Sequence, residues 1–406
     1  MHRFIPNVFQ NLISGKTGAS DLRQAKHVDE GDCTDEDASG SKNRILKRFR
    51  YHILMAPLSL CLTSALLHAQ DNTPQQFDER LSALELEVQK RPFYNAPARP
   101  EIANGYNLFF TGDFLYWKAE ENGLTYALKT SNATQSPLSG KLSLKDPHFE
   151  WDMGFRLGLG YNIPHDEWDI YANWTRFYTD AHGHTHAKEN EGIYPVWAFP
   201  AGPINLEFVQ KSKAHWSLFL NILDIELGKE YQVSKRLSLR PHLDLRTAWI
   251  NQNYSVKYEI LSPVLFDKVK MSCDYWGIGP RAGLGFQWNI VSGFSIDGDA
   301  DISLIYGNDS LHQSEKSHPT PDDHLHFKEH MHSARAITDL GLFLSWDQML
   351  GHGNYHFSIK AGWEQHIFFE QNQFFRFLDP FFQGSIVSNQ GDLMLQGWTA
   401  KARIDF

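Results

Sequence analysis

The last sixteen residues, Gly391 to Phe406, alternate with a period of two. Phe406, Ile404, Ala402, Ala400, Trp398 and Met394 share one face, broken only by Gln396. Asp405, Arg403, Lys401 and Thr399 share the other. This is the period of a β-strand, with aromatics near both ends of its apolar face. A strand of this kind suits a closed barrel in a membrane, where one face meets lipid, the other meets water and closure leaves no unpaired edge. The last strand of a soluble sandwich is the competing reading, and the remaining strands decide between them.

They repeat the pattern. Met153, Phe155, Leu157, Leu159 and Tyr161 oppose Gly154, Arg156, Gly158 and Gly160. Trp168, Ile170, Ala172 and Trp174 oppose Asp169, Tyr171, Asn173 and Thr175. Leu239, Leu243, Leu245, Thr247 and Trp249 oppose Arg240, His242, Asp244 and Arg246. Tyr355, Phe357, Ile359, Ala361 and Trp363 oppose His356, Ser358, Lys360 and Glu364. Charged side chains in register are costly in a packed core and natural on a wet lumen. Tyr106 to Trp117 reads as a first strand, with a turn at Glu120–Gly123 and a returning strand from Leu124 to Lys129. Tyr275 to Ile290 and Phe294 to Tyr306 read as a hairpin around Val291–Gly293. Short turns alternate with long polar loops at Asp180–Pro203 and Gly307–Ser333, the asymmetry of outer-membrane barrels. The expectation is an all-β, transmembrane antiparallel barrel over residues 105–406, with about 10–14 strands and an even number.

Composition agrees. Hydrophobic residues are 42% and mean hydropathy is −0.43, far too polar for a helical membrane protein. Twelve Trp, fifteen Tyr and twenty-eight Phe suit interfacial girdles. The net charge of −10 excludes nucleic acid as an expected partner.

Ahead of the barrel, residues 1–41 have no periodicity and include an acidic run; they read as a disordered extension or an overcalled start. Residues 42–69 carry a basic cluster (Lys42, Arg44, Lys47, Arg48, Arg50) and then a short apolar run, the pattern of a signal peptide with cleavage expected after Ala69. Only Cys273 of the three cysteines would then persist, so no intrachain disulfide framework is expected. Residues 70–104 read as a short periplasmic helix and a Pro-rich linker. Phe77, Leu81, Leu84 and Val88 form a heptad seam of about two repeats, too short to associate alone. Tethered to barrels sharing one membrane, it is expected to hold a homotrimer. A single amphipathic helix on the barrel mouth, or a plain linker, is the alternative.

One stretch carries more than physics. Gly112–Ala127, with Leu115-Tyr-Trp117 and a Gly123-Leu-x-Tyr-Ala127 return, resembles the opening of the Legionella and Chlamydia-like major outer membrane protein family. Phe294–Gly307 and the terminal aromatic are also similar. The resemblance covers residues 105–406 and implies a pore-forming barrel of the outer membrane of a Gram-negative-type bacterium. It implies passive diffusion of small hydrophilic solutes, with membrane lipid and the barrel-assembly machinery as partners. Family members are often cysteine-rich at the surface, and this chain departs from that.

Arg240, Asp244, Arg246, Lys360, Glu364, Lys401 and Arg403 are the candidate pore-lining residues. Phe406, Ile404 and Trp398 are the candidate assembly signal. His182, His184 and His186 alternate and could bind zinc, copper or nickel, but they form no closed four-ligand set; a solvated loop explains them, and no metal or other cofactor is expected. His324, His326, His330 and His332 invite the same reading. Gly277–Gly285 lacks the ending of a phosphate loop, and small residues in curved strands explain it. No nucleophile elbow or His-Glu-x-x-His motif appears, and no catalytic residue is nominated. A porin is therefore expected, with a non-conducting structural or adhesive barrel and a barrel enzyme as alternatives.

Overall fold

A computed structural model describes Ile102 and residues 105–131, 141–164, 168–200, 202, 208–261, 264–291, 293–320, 323–378, 385–388 and 391–406. The signal peptide, the heptad seam and the expected N-terminal helix lie outside the described residues. Ten long strands form the barrel: β1 (Leu108–Glu121), β2 (Trp151–Asn162), β3 (Trp168–His186), β4 (Lys211–Lys229), β5 (Leu237–Leu261), β6 (Val264–Val291), β7 (Phe294–His318), β8 (Asp323–Leu350), β9 (Tyr355–Asn372) and β10 (Gly391–Asp405). Each pairs antiparallel with the next, and β10 pairs with β1, so the sheet closes on itself. The number is even and stands at the low end of the expected range. Closure is direct: Phe110 faces Ile404, and the Phe406 backbone exchanges two hydrogen bonds with Leu108.

The alternation places apolar side chains outside. Trp151, Met153, Phe155, Leu157, Leu159 and Tyr161 on β2, and Trp168, Ile170, Trp174 and Tyr178 on β3, are exposed on the outer face. So are Trp398 and Ile404 on β10. From Trp168 to Tyr178 the outer face of β3 covers eleven residues, the length a tilted strand needs to cross a bilayer. Aromatics mark both rims: Trp151, Trp363 and Trp398 pack together 5.5–5.9 Å apart at one, and Tyr161, Trp168 and Tyr355 are exposed at the other. An outer surface this apolar has no stable place in water. The short connections, the C-terminal Phe406 and the start of β1 lie at one end, the periplasmic end by the rule that periplasmic turns are short.

Three sequence expectations are corrected. Asp180–Pro203 is not all loop, because β3 continues to His186. Gly307–Ser333 is mostly strand, because β7 runs to His318 and β8 begins at Asp323. The cause is a change of environment: beyond the membrane the outer face turns polar and the apolar signal fades. The inner face goes on alternating through Asp309, Leu311, Gln313, Glu315 and Ser317, all buried. Third, Leu124–Lys129 does not begin the return strand. Ala127–Thr130 pairs with Leu142–Lys145 and with Gly192–Pro195 in a separate three-stranded sheet. The barrel's return strand is β2.

That small sheet bears on the lumen. Tyr254 and Tyr258 of β5 donate hydrogen bonds to the carbonyls of Leu124 (2.6 Å) and Tyr126 (2.7 Å). Trp197 donates from Nε1 to the Thr125 carbonyl at 2.8 Å. Around these anchors lies one apolar cluster with Trp117, Phe177, Trp216, Ile250, Tyr275, Ile305, Ile337, Phe368 and Leu395 fully buried. Nine of the ten strands contribute to it, and Phe149, ahead of the tenth (β2), packs against it. A barrel of about eight strands is just wide enough for its own side chains to fill. Ten strands filled with aromatics and two inward segments leave a packed core on the long-loop side.

Candidate functional site

Below the apolar core the inner face becomes charged. A cavity of about 720 Å³ is lined there by Asp113, Arg156, Arg240, Arg246, Arg281, Lys360, Glu364 and Arg403. It reaches the short-turn end at Glu230, Asn289 and Gly293. Closed by aromatics on one side and bordered by turns on the other, it forms a vestibule facing the periplasm.

Its walls are ion pairs arranged by register. Arg246 (β5) lies opposite Asp224 (β4) and grips it with two bonds, Nε–Oδ1 at 2.8 Å and Nη2–Oδ2 at 2.9 Å, while Nη1 reaches Asp339 of β8 at 2.7 Å. Arg281 (β6) joins Asp244 and Asp301, both at 2.6 Å. His242 sits between the same two carboxylates at 2.9 and 3.1 Å. Arg240 pairs with Asp169 and Glu226. Arg156 (β2) pairs with Asp113 (β1) at 3.0 Å and Glu364 (β9) at 3.2 Å, and Lys401 (β10) meets Glu364 at 2.7 Å. His366 ties this group to Asp339 at 2.8 Å. Every barrel strand contributes a charge.

Some directly opposed residues carry the same sign. Lys360 faces Lys401, and Asp301 faces Asp339. Like charges across a pair destabilise a sheet unless a third strand answers them. Lys360 turns to Asp297, Lys401 turns to Glu364, and Arg281 stands between the acidic pair, reaching Asp339 at 3.5 Å. The network is thus compensated locally and presents no large field of one sign.

All seven sequence-nominated lumen residues point inward. Arg240, Arg246, Lys360, Glu364, Lys401 and Arg403 line the cavity, and Asp244 is buried in its wall. Arg403 pairs with Asp405 at 2.6 Å and covers the Phe109 ring. Sequence reasoning missed Asp113, Arg281, Asp301 and Asp339. Arg281 was hidden in Gly277–Gly285, assigned to curvature. Those glycines give room instead: a Cβ on Gly283 would lie 1.7 Å from Asp301 Oδ1 and 2.5 Å from the His242 ring. An inward Arg among inward glycines was the available signal.

His182, His184 and His186 are exposed on the outer face of β3, not gathered around the lumen. His182 stacks on His215 of β4, with the ring centroids 4.5 Å apart, and meets Asp180 at 2.9 Å. Trp398 and Ile404 face outward, and Phe406 stacks on Phe110 at 5.5 Å.

Beyond the bilayer, Glu121 is buried at the edge of the apolar core and accepts one hydrogen bond, from Gln252 at 2.9 Å. Burial pushes its carboxyl up from 4.5 to about 8. The folded barrel therefore holds Glu121 protonated where the unfolded chain has released the proton. That contribution is full below about pH 4.5 and is lost as pH rises through about 8. Resistance to urea in micelles is expected to fall between pH 5 and pH 9. Glu121→Gln should remove part of the slope, and an unchanged slope would exclude Glu121 as its source.

No curated protein matches the chain in sequence. Solved structures with similar backbones are the outer-membrane protease OmpT from Escherichia coli, the P. putida toluene transporter TodX, and the transport unit of the autotransporter AIDA-I from Escherichia coli. OmpT has 9% identity and a TM-score of 0.39, with 77% of this chain and 99% of that one covered. TodX has 10% and 0.24, with 75% and 91% covered. AIDA-I has 7% and 0.23, with 80% and 97% covered. All are too distant to carry a function. The family model described as Legionella pneumophila major outer membrane protein precursor matches residues 98–406. With its lipid-facing belt and closed ten-stranded sheet, this chain belongs to that family and is a protein of the outer membrane.

Proposed function

We propose that this chain is a structural outer-membrane barrel, closed to passive diffusion, with a charged vestibule open to the periplasm. One observation carries the reading: a contiguous apolar core crosses the lumen and buries Trp117, Trp216, Tyr254 and Tyr275 completely. A diffusion pore needs a continuous wet path, and among the described residues these buried aromatics interrupt it. The cavity beneath, lined by charges of both signs, favours a second reading. In it, the barrel is a porin for small hydrophilic solutes whose path opens only when the inward segments around Leu124 and Trp197 are displaced.

Sidedness tests the proposal. Cys273 is buried, so a cysteine placed at Lys360 is the accessible thiol among the described residues. With a membrane-impermeant maleimide, Lys360→Cys is expected to stay unlabelled in intact cells and to react once the outer membrane is permeabilised. Equal labelling in intact cells would mean an open lumen and would sink the closed-barrel reading.

A further inference from the structure

At the distal end of the lumen, well beyond the membrane belt, two carboxylates are buried together. Glu315 lies nine residues past the rim residue Tyr306 on β7, about 30 Å along the strand. Asp267 lies on the neighbouring β6, where it faces Ser317, while Glu315 faces Val269. Both are 1% exposed. Among the described residues no Lys or Arg makes an ion pair with either. Two buried carboxylates side by side cannot both stay charged without a counter-ion.

The surroundings are those of a ligand set. His324 turns Nε2 toward Glu315 Oε1 at 3.3 Å, and this buried nitrogen has no hydrogen-bond partner among the described residues. Its other nitrogen lies 3.5 Å from Ser317 Oγ, which also donates to Asp267 at 3.0 Å. One donor atom from each of Asp267, Glu315 and His324 falls within 4.8 Å of the others. Two ligands on a tetrahedral zinc stand about 3.3 Å apart, which the imidazole–carboxylate separation matches. The Phe199 amide donates to both Glu315 oxygens at 2.9 Å, so the site is also a fastening point for the Phe199 segment.

We propose that Asp267, Glu315 and His324 bind one divalent transition-metal cation of the zinc class and thereby anchor the Phe199 segment inside the distal mouth. One imidazole and two carboxylates suit zinc, cobalt or manganese better than calcium, which prefers oxygen throughout.

The test uses the full chain, folded in detergent and titrated with Co²⁺ as a spectroscopic probe for zinc. Expected are visible ligand-field bands that saturate at one equivalent. Glu315→Gln and His324→Ala should each weaken binding by at least about tenfold while the heat-modifiable folded band is retained. His215→Ala, which alters the exposed histidine pair on the outer wall, should leave the bands unchanged. The proposal is overturned by folded protein that binds no Co²⁺, by bands insensitive to both lumenal substitutions, or by bands lost with His215→Ala.

Discussion

Arg246→Leu is expected to destabilise the folded barrel by about 3–5 kcal/mol, the cost of removing one partner from a buried ion pair. The guanidinium is the shared partner of Asp224 and Asp339, which lie on different strands. Removing it leaves two buried carboxylates that share the more distant Arg281, at 3.9 and 3.5 Å, while Asp339 keeps His366 at 2.8 Å. The urea midpoint of the micelle-bound barrel measures the loss. Adding Asp224→Asn should restore part of it, because half of the stranded charge disappears with the substitution. Lys360→Ala is the contrast, since its side chain keeps about a third of its surface exposed. A loss there as large as at Arg246 would mean that position in the network, rather than burial, sets the cost.

Trp197→Ala is expected to have the second large effect, on stability and on the lumen together. The indole is buried, donates to the Thr125 carbonyl, packs edge-on against Tyr254 and Phe374, and lies under Arg376. Truncating a buried Trp costs about 3–5 kcal/mol. The loss falls on the contact that holds the inward segments to each other. Intermittent conductance should therefore accompany the lower urea midpoint. Trp398→Ala, on the lipid face, should leave the lumen closed. Conductance from Trp398→Ala and none from Trp197→Ala would place the closure elsewhere.

How far the sequence could be read follows from which face each signal sits on. The lipid-facing side gave the barrel, because only an outer face in lipid demands such strict alternation. Phe357, Ile359, Ala361 and Trp363 left little choice about orientation, and the inward direction of Lys360 and Glu364 followed from it. The distal halves of β3, β7 and β8 read as loops because their outer face meets water beyond the membrane, which removes that demand. The closed lumen was harder still. Trp117 and Phe177 are aromatics on the inner face, and alternation alone treats an inner position as wet. Nothing local in Leu124–Thr130 says that it folds inward. That depends on Tyr254 and Tyr258, about 130 positions away in the chain, offering hydroxyls to its carbonyls. Asp267 and His324 were likewise separate until β6, β7 and β8 stood side by side.

The central claim is that the lumen is shut by its own side chains, and planar-bilayer recording of the unmodified, folded protein tests it most directly. The protein should insert, retain its heat-modifiable mobility and give no conductance steps above baseline. Stable, ohmic steps from the unmodified barrel would contradict the account and make it an open porin.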